Sequence, residues 1–501
     1  MRKQLLGMTL VTGIALVIQL GCTGTVNPGG GTVNPPTGTV VVFGGDAPLC
    51  SILSFNMTIT GMTLTPASST SPVSILPAGQ SLTLDYASLM DYSAPITLAS
   101  VPAGSYSTLN LTLSNNAQLT YWDTTKTPAG PTSMSLTLPS LTVTLSLSPA
   151  LTVSSSGTSA LQLDFDMLHS VVLDQSNQIT SDVQPAFTLT PATLGTTSTF
   201  AEIEDLRGII TSVTTTGSNP AYTGSFALQS TAGPTVTVNV SGSTTFDGVT
   251  GLSSLASGTF VQVDASIDSR GNLLANEVQA EEHEDAANGQ AAFKGLITSV
   301  TRDSSGNATQ FKLFVSEEAP DVSSQVSLQS VLTFNVSTST NLAITAQAQA
   351  SNLANFTFNP QTLGIGQQVV AHGQLPAAGT TPFTADARAI YLGTQSILGN
   401  LSTAPSTPVV TGSDGKTGGF TLVPCSPLYL PQPPVTEISF LQTTFTGTGL
   451  TNLNSLEVPG THSLLVKGIL SYQQTTGNKN GVAWVPPANV QVATEVRQLP
   501  Q

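Results

Sequence analysis

Hydrophobic and polar residues alternate one by one along several stretches of the segment 38–197. Successive side chains of a strand point to opposite faces, so a period of two predicts strands that bury one face. Its repetition predicts an antiparallel β-sandwich. The hydrophobic positions are Phe55, Met57 and Ile59; Leu82 and Leu84; Leu109, Leu111 and Leu113; Leu141, Val143, Leu145 and Leu147; and Leu161, Leu163, Phe165 and Met167.

The segment Val101-Pro102-Ala103-Gly104-Ser105-Tyr106 predicts a turn that leads into one of these strands. Proline fixes φ and glycine permits positive φ, which are the properties that turns require. We expect the Tyr106 ring to pack against the sandwich while its hydroxyl stays in water.

Four features of this segment resemble a bacterial lipoprotein domain-of-unknown-function family: a Gly-x-Val-x-Val start at Gly38, an Asp-Ala-Pro at 46–48, the Pro-Ala-Gly-x-Tyr turn, and a Leu-Asp-Phe-Asp strand at 163–166. The turn also resembles prealbumin-like and carboxypeptidase-regulatory-like sandwiches. The resemblance implies a prealbumin- or Ig-like sandwich over 38–197 and an envelope location. It implies no activity.

After residue 200 the chain repeats itself. The motif 208–213 returns at 295–300, and a weaker copy stands at 397–401. Later in each unit comes a Thr-containing strand end, at 244–246, at 443–445 and more loosely at 339–341. Five or six short strands over roughly 75–105 residues are enough for a small closed barrel.

This repeat resembles a second domain-of-unknown-function family, of small barrels similar to the OB-fold that occur in tandem in bacterial envelope proteins. The resemblance implies barrels over 203–281, 293–393 and 395–499, the last one divergent. The predicted fold class is therefore all-β: a sandwich followed by three tandem OB-like barrels.

The first 22 residues have the layout of a secretory signal peptide. Arg2 and Lys3 precede an uncharged, mostly apolar run over 4–20, and Gly21 and Cys22 follow. This ending resembles the lipobox of bacterial lipoproteins, which implies removal of 1–21 and acylation of Cys22, although Gln19 stands where the family usually has Leu. A Gly/Pro/Thr tether over 22–37 would then separate the lipid from the first domain. The alternative is a transmembrane anchor, for which the apolar run is barely long enough.

Charge and cysteine content narrow the classes of function. Charged residues are 8% of the chain and its net charge is −15, so nucleic acid is not an expected partner. If Cys22 carries lipid, Cys50 and Cys425 remain. They belong to different predicted domains, and a disulfide between them is possible but not implied by the sequence.

Two alternating carboxylates are the main candidates for site chemistry. Asp164 and Asp166 lie on one face of the last sandwich strand. Together with Asp46 they could bind Ca²⁺, or they could act as a general acid and base. The favoured interpretation of these carboxylates is a negatively charged strand face without a ligand, so we predict no metal and no cofactor.

Other candidate motifs have simpler explanations. His283 lies in Glu281-Glu282-His283-Glu284-Asp285, which lacks the second His of a zinc protease and is expected to be an acidic linker. The segments 268–272 and 303–307 resemble calcium-loop fragments but are better explained as hairpin turns. Trp122, Tyr121 and Trp484 could stack on a sugar, although packing is the commoner role.

The sequence thus predicts a non-catalytic lipoprotein, anchored in the bilayer through acylated Cys22, that binds a glycan or an envelope protein. Two alternatives stay open. One is a hydrolase of envelope polysaccharide that uses Asp164 or Asp166, which requires a concave pocket gathering carboxylates and a His. The other is a purely structural spacer.

Overall fold

Strands make up nearly all of the regular structure. The chain divides into the segment 1–35 and one unit over 36–501. The computed structural model describes residues 36–499, except 48–49, 90–93, 175–178, 193–201, 216–220, 231–234, 269–271, 281–288, 320–321, 323–324, 345–356, 376–382, 403–407, 430–433, 448, 457–462 and 486.

The sandwich consists of twelve strands and one short helix of the described chain. Their bounds are β1 Thr37–Ala47, β2 Ile52–Pro66, β3 Val73–Ser74, β4 Leu82–Asp85, β5 Ala94–Pro102, β6 Gly104–Asp123, β7 Gly130–Thr137, β8 Thr142–Val153, β9 Thr158–Asp166, α1 Met167–Ser170, β10 Val171–Leu173, β11 Ile179–Val183 and β12 Phe187–Ala192. A 3-10 helix spans Tyr86–Leu89.

Two sheets face each other across one hydrophobic core. The first has the order β12-β9-β1-β5, and the second has the order β10-β11-β7-β6-β2-β3, with β4 on β2 and β8 on β6. Phe55, Tyr86, Phe165 and Phe187 fill the centre, and the ring centroids of Tyr86 and Phe165 lie 4.7 Å apart. The alternating positions of β9 therefore bury their hydrophobic face, as the sequence predicts.

The turn before β6 differs from the expectation in one respect. The Tyr106 side chain is buried, and its hydroxyl donates a hydrogen bond of 2.7 Å to the carbonyl of Pro102. The prediction that this hydroxyl stays in water is wrong. A buried hydroxyl needs a partner, and the turn itself supplies one four residues upstream.

Three barrels follow, each built from its own run of strands. The first contains β13 Glu202–Thr214, β14 Gly224–Ser230, β15 Thr235–Val240, β16 Thr245–Asp247, β17 Phe260–Ile267 and β18 Leu273–Ala280; the second contains β19 Gln290–Arg302, β20 Ala308–Ala319, β21 Val331–Asn335, β22 Asn341–Ile344, β23 Gln368–Gln374 and β24 Thr384–Leu392.

The third barrel contains β25 Gln395–Leu401, β26 Val409–Val410, β27 Gly418–Pro424, β28 Val435–Ser439, β29 Thr444–Thr446, β30 Leu464–Gln473 and β33 Ala488–Gln498, with a separate hairpin of β31 Gly477–Lys479 and β32 Val482–Trp484. The described 3-10 turns of the barrels span Leu252–Ser254, Pro427–Tyr429 and Leu453–Ser455.

Each barrel closes through the same pairings. In the first, the path β15-β14-β13-β17-β18 is closed by parallel pairing of β15 with β18. The second and third repeat it, with β21 parallel to β24 and β28 parallel to β33. Five strands joined in this order form an OB-like barrel. The predicted fold class, a sandwich followed by three OB-like barrels, is confirmed.

The repeated glycines explain how the first strand of each barrel bends. A Cβ on Gly208, Gly295 or Gly399 would lie 2.0–2.4 Å from a carbonyl oxygen of the neighbouring strand. In the first two barrels the register shifts just after the glycine, as at a β-bulge. Glycine and bulge together let one strand curl and pair on both sides, which barrel closure requires.

Adjacent modules share buried side chains. Val41 and Phe43, on the outer face of the first sheet, pack into the core of the first barrel. Phe260 of the first barrel packs against a small cluster of the second barrel, formed by Ala292, Ala319 and Val370. Between the second and third barrels, the side-chain amide of Gln367 donates a hydrogen bond of 3.0 Å to the carbonyl of Leu470.

The sandwich also contacts the third barrel, far along the chain. Trp122 packs into the core of that barrel, and Cys50 forms a disulfide with Cys425, with 5.3 Å between their Cα atoms. The two cysteines are 375 residues apart in sequence. This pair, which the sequence leaves open, brings the first and last modules together.

Candidate ligand-binding site

A cleft of about 680 Å³ opens where the sandwich, the second barrel and the third barrel meet. Its volume lies within the roughly 300–1,000 Å³ of small-molecule sites. The sandwich contributes the β6–β7 hairpin, the second barrel contributes β19, β20 and the segment before β23, and the third barrel contributes Leu428 and Tyr472.

The β6–β7 hairpin is held in shape by Asp123. Its carboxylate accepts hydrogen bonds from the amide and hydroxyl of Thr125, at 2.9 and 2.6 Å, and from the hydroxyl of Thr132, at 3.1 Å. These bonds, together with the positive charge of Lys126, lower the pKa of Asp123. The turn fixed in this way carries Lys126 and the segment 128–131 to the cleft.

Arg302 joins the second and third barrels beside the cleft. Its guanidinium donates to the carbonyls of Gly306, Pro360, Gln361 and Leu363, all in the second barrel. It also lies over the ring of Tyr472 in the third barrel. Burial lowers the pKa of Arg302, but a guanidinium remains charged in proteins.

Lys126 and Lys312 bring two more positive charges to the cleft, and both side chains are exposed. Among the described residues, neither lysine forms an ion pair. The described residues that line the cleft include neither Asp nor Glu. Three of the 13 basic residues therefore lie together in a chain whose net charge is −15.

The walls between these charges are mostly apolar. Val300, Val331 and Ile365 come from the second barrel, and Leu428 comes from the third. Gly364 lies against Tyr472, because a Cβ there would come within 2.8 Å of the tyrosine Cβ. Apolar walls with a few polar groups are typical of sites for small organic ligands.

The candidate carboxylates lie elsewhere. Asp164 is half-buried on β9, where burial and the neighbouring charge of Asp166 raise its pKa to about 6. Asp166 caps α1 and its carboxylate contacts Nδ1 of His169 at 2.6 Å. The structure thus brings one His to the predicted carboxylates, but none of the three lines the cleft.

The other predicted positions are only partly described. Asp46 lies in β1, and its backbone pairs with that of Phe165, between Asp164 and Asp166. Its side chain, Cys22 and His283 lie outside the described residues. Within the described part of the chain, no three His, Cys, Asp or Glu residues form a group that could hold a metal. That part also contains no helix of the length and hydropathy needed to cross a bilayer.

Both calcium-loop fragments lie between antiparallel paired strands, β17 and β18 for the first and β19 and β20 for the second. Asp303 accepts hydrogen bonds from the amides of Ser305 and Asn307, and these bonds and the Asn307 side chain lower its pKa. Asp268, between β17 and β18 of the first barrel, accepts a hydrogen bond of 2.8 Å from the Asn272 amide. The carboxylates are thus engaged in closing turns, as the sequence predicts.

The three aromatic residues proposed for sugar stacking have different positions. Trp122 lines the cleft, but most of its ring is packed into the core of the third barrel. Tyr121 packs partly buried on the sandwich core, and the Trp484 indole donates to the carbonyl of Thr475. Only Trp122 among them contributes to the cleft.

Sequence reasoning missed the cations of the cleft. Lys126 belongs to the sandwich, whereas Arg302 and Lys312 belong to the second barrel, and no motif connects the three. The one signal that could have pointed to them is the small number of basic residues in the chain, 13 against 28 acidic residues.

A buried carboxyl group inside the third barrel was also not foreseen. Glu437 is fully buried, and no donor among the described residues contacts either of its carboxyl oxygens. Burial raises its pKa well above the ordinary value. Neutral Glu437 fits a barrel interior because an unpaired charge there is costly.

Two segments match known families. Residues 37–181 match a family described as Domain of unknown function (DUF4382). Residues 207–279 match another, Domain of unknown function (DUF5666). The first match covers most of the sandwich, and the second covers the first barrel, whose strand order the other two barrels repeat. No curated protein matches the chain.

Among solved structures, the chain is similar to one titled "drosophila Unr CSD456". The identity is 13%, and the alignment covers 59% of this chain and 97% of that one. The TM-score is 0.14, which supports no conclusion, so the OB-like assignment rests on the strand pairings alone.

Proposed function

We propose that this chain is a non-catalytic, lipid-anchored protein of the bacterial envelope that binds a saccharide in the cleft between its sandwich and its second and third barrels. The observation that carries the binding proposal is the cleft itself, with positive groups and apolar walls held in place by three modules. OB-like barrels bind oligosaccharides in other proteins, which is an analogy of fold only.

The chemistry of the walls favours a saccharide. Sugar rings present apolar C–H faces and polar edges, and the cleft offers Val300, Ile365 and Leu428 beside the Thr298 and Ser299 side chains. A part of the Trp122 ring adds an aromatic surface. Small-molecule sites combine apolar contact area with a few fixed polar groups in the same way.

Two features support the envelope location. The layout of residues 1–22 resembles a lipoprotein signal with Cys22 as the acylated residue. The Cys50–Cys425 disulfide fits an oxidising compartment outside the cytoplasm, because disulfides rarely persist in the cytosol.

Metabolic labelling with palmitate tests the anchor. The wild-type chain, expressed in a Gram-negative host, should incorporate label and partition into the detergent phase. Cys22→Ser should lose both properties. An unlabelled wild-type band, or a Cys22→Ser variant that still partitions into detergent, would overturn the anchor.

An array of envelope saccharides, probed with the full chain in a non-glycosidic detergent, tests the binding function. The proposal expects binding to a defined group of oligosaccharides. Absence of all binding would favour the purely structural spacer.

A hydrolase of envelope polysaccharide is the second candidate. The Asp166–His169 contact and the raised pKa of Asp164 support it, whereas the position of all three residues outside the cleft does not. A carboxyl group with a pKa near 6 can serve as a general acid close to neutral pH. This candidate requires that the wild type release reducing ends from an array-positive polysaccharide and that Asp166→Asn stop the release. Intact polysaccharide after prolonged incubation would exclude it.

A further inference from the structure

The cleft has the opposite charge from the rest of the chain. Lys126, Arg302 and Lys312 line it, no described lining residue is acidic, and the chain as a whole carries a net charge of −15. A concave site lined by one sign of charge focuses its field and concentrates ligands of the other sign.

The two lysines can contact a ligand, whereas Arg302 already forms hydrogen bonds within the protein. Arg302 donates hydrogen bonds from both terminal nitrogens to four carbonyls, so its charge contributes to the field while these nitrogens already have partners within the protein. Lys126 and Lys312 are exposed and, among the described residues, form no ion pair. Lys126 interacts electrostatically with Asp123, whose carboxylate already accepts hydrogen bonds from Thr125 and Thr132.

The size and the walls of the cleft argue against a simple inorganic anion. A volume of about 680 Å³ greatly exceeds the space of one such ion. Val331 and Ile365 offer apolar contact area that such an ion cannot use. A ligand that satisfies both features carries negative groups on a larger framework with apolar faces.

We infer that the cleft selects acidic oligosaccharides, whose carboxylate groups pair with Lys126 and Lys312 while the ring faces lie on the apolar wall. This inference rests on the proposed saccharide-binding function and specifies its ligand class. Lys126 belongs to the sandwich and Lys312 to the second barrel, so one bound acidic chain would bridge two modules.

Calorimetric titration of the full chain with two matched probes tests the inference. The probes are tetragalacturonate and its fully methyl-esterified form, which keeps the rings and removes the charges. Tetragalacturonate should bind at least about tenfold more tightly, and added salt should weaken it. Lys126→Gln/Lys312→Gln should remove this preference, while Lys126→Arg/Lys312→Arg should retain it.

Lys416→Gln is the control, because it makes the same change on the third barrel at a residue that does not line the cleft. Equal binding of both probes, unaffected by the double Gln variant, would overturn the charge inference and leave saccharide binding intact. Failure of both probes and of every array saccharide would overturn the proposed function as well. Loss of binding in the double Arg variant would show that packing, not charge, governs the site, and would also overturn the inference.

Discussion

The guanidinium carbon of Arg302 lies 5.0 Å from the ring centroid of Tyr472. Arg302 ends β19 of the second barrel, and Tyr472 lies near the end of β30 of the third. The contact stands at the edge of the cleft, where it fixes one barrel against the other. The geometry of the site therefore depends on an interaction between modules.

Replacing Arg302 should loosen this junction. Arg302→Gln removes the hydrogen bonds that the guanidinium donates to carbonyls of the second barrel, and it removes the contact with Tyr472. We expect a loss of about 2–4 kcal/mol in the free energy of unfolding, from charged hydrogen bonds and a cation–π contact. Thermal and denaturant unfolding of the full chain measures it. Lys416→Gln should change stability by less than about 0.5 kcal/mol, and an equally small effect of Arg302→Gln would contradict the assignment.

The disulfide between Cys50 and Cys425 should be present in the exported protein. Alkylation of the unfolded, unreduced chain should label neither cysteine, and both should react after reduction. Because the bond closes a loop of 375 residues, Cys50→Ser/Cys425→Ser should destabilise the chain by about 2–5 kcal/mol. Labelling of both cysteines before reduction would show that the two modules are not joined in this way.

In each barrel, a threonine side chain forms a hydrogen bond to the last strand. The hydroxyls of Thr244, Thr340 and Thr443 donate to the carbonyls of Ala275, Ala387 and Ala493, at 2.7, 2.8 and 2.8 Å. Each also accepts a hydrogen bond from the amide three residues upstream in the chain. The same pair of bonds thus connects the segment after the third strand to the last strand in all three barrels.

The stability of Thr340→Val should show how much these two hydrogen bonds contribute to folding, because valine keeps the shape of threonine and lacks its hydroxyl. Thr340 is buried, so the amide of Ser337 and the carbonyl of Ala387 lose a partner inside the protein. We expect a loss of about 1–3 kcal/mol. Exposed Thr245→Val in the first barrel is the control, with an expected change below about 0.5 kcal/mol. Equal stability of the two variants would show that the Thr340 hydroxyl does not stabilise the barrel.

The repeat could be predicted because its signals are local. Gly208 and Gly295 recur with their flanking residues, and Thr244 and Thr443 precede similar strands, so the barrels and their strand content follow from the sequence. The cleft could not be predicted in this way. Lys126, Lys312 and Tyr472 meet only after the sandwich, the second barrel and the third barrel pack together, and no short-range pattern encodes that packing.

The site chemistry shows the same limit. The alternation around Asp164 and Asp166 correctly places both on one face of β9, but His169 joins Asp166 only because α1 begins at the next residue. The Cys50–Cys425 pair likewise depends on contact between the first and last modules.

Asp164 should make stability depend on pH in a defined direction. Its pKa is raised from 3.8 to about 6, so the folded state binds its proton more tightly than the unfolded state does. The associated stability is complete below pH 3.8 and is lost as pH rises through about 6. Asp164→Asn cannot ionise and should exceed the wild type in stability by about 1–2 kcal/mol at pH 8, allowing for partial exposure.

The higher stability of Asp164→Asn should disappear as the pH falls towards 3.8, where Asp164 is protonated in the folded wild type. Unfolding measured from acidic to mildly alkaline pH checks it, with Asp182→Asn as a control at an exposed sandwich carboxylate. If Asp164→Asn were less stable than the wild type at pH 8, attraction to Arg497 would outweigh the burial of the carboxylate, and the predicted direction would be wrong.

Filling the cleft tests most directly whether it is the ligand site. Ala129 is exposed on the β6–β7 hairpin and lines the cleft, so Ala129→Trp should occupy it without entering the core. Ala67→Trp, on an exposed turn of the same sandwich, is the matched control. In calorimetric titration with tetragalacturonate, we predict that Ala129→Trp abolishes binding, while Ala67→Trp binds as the wild type does and both melt at the wild-type temperature. Wild-type affinity in a correctly folded Ala129→Trp variant would contradict the account.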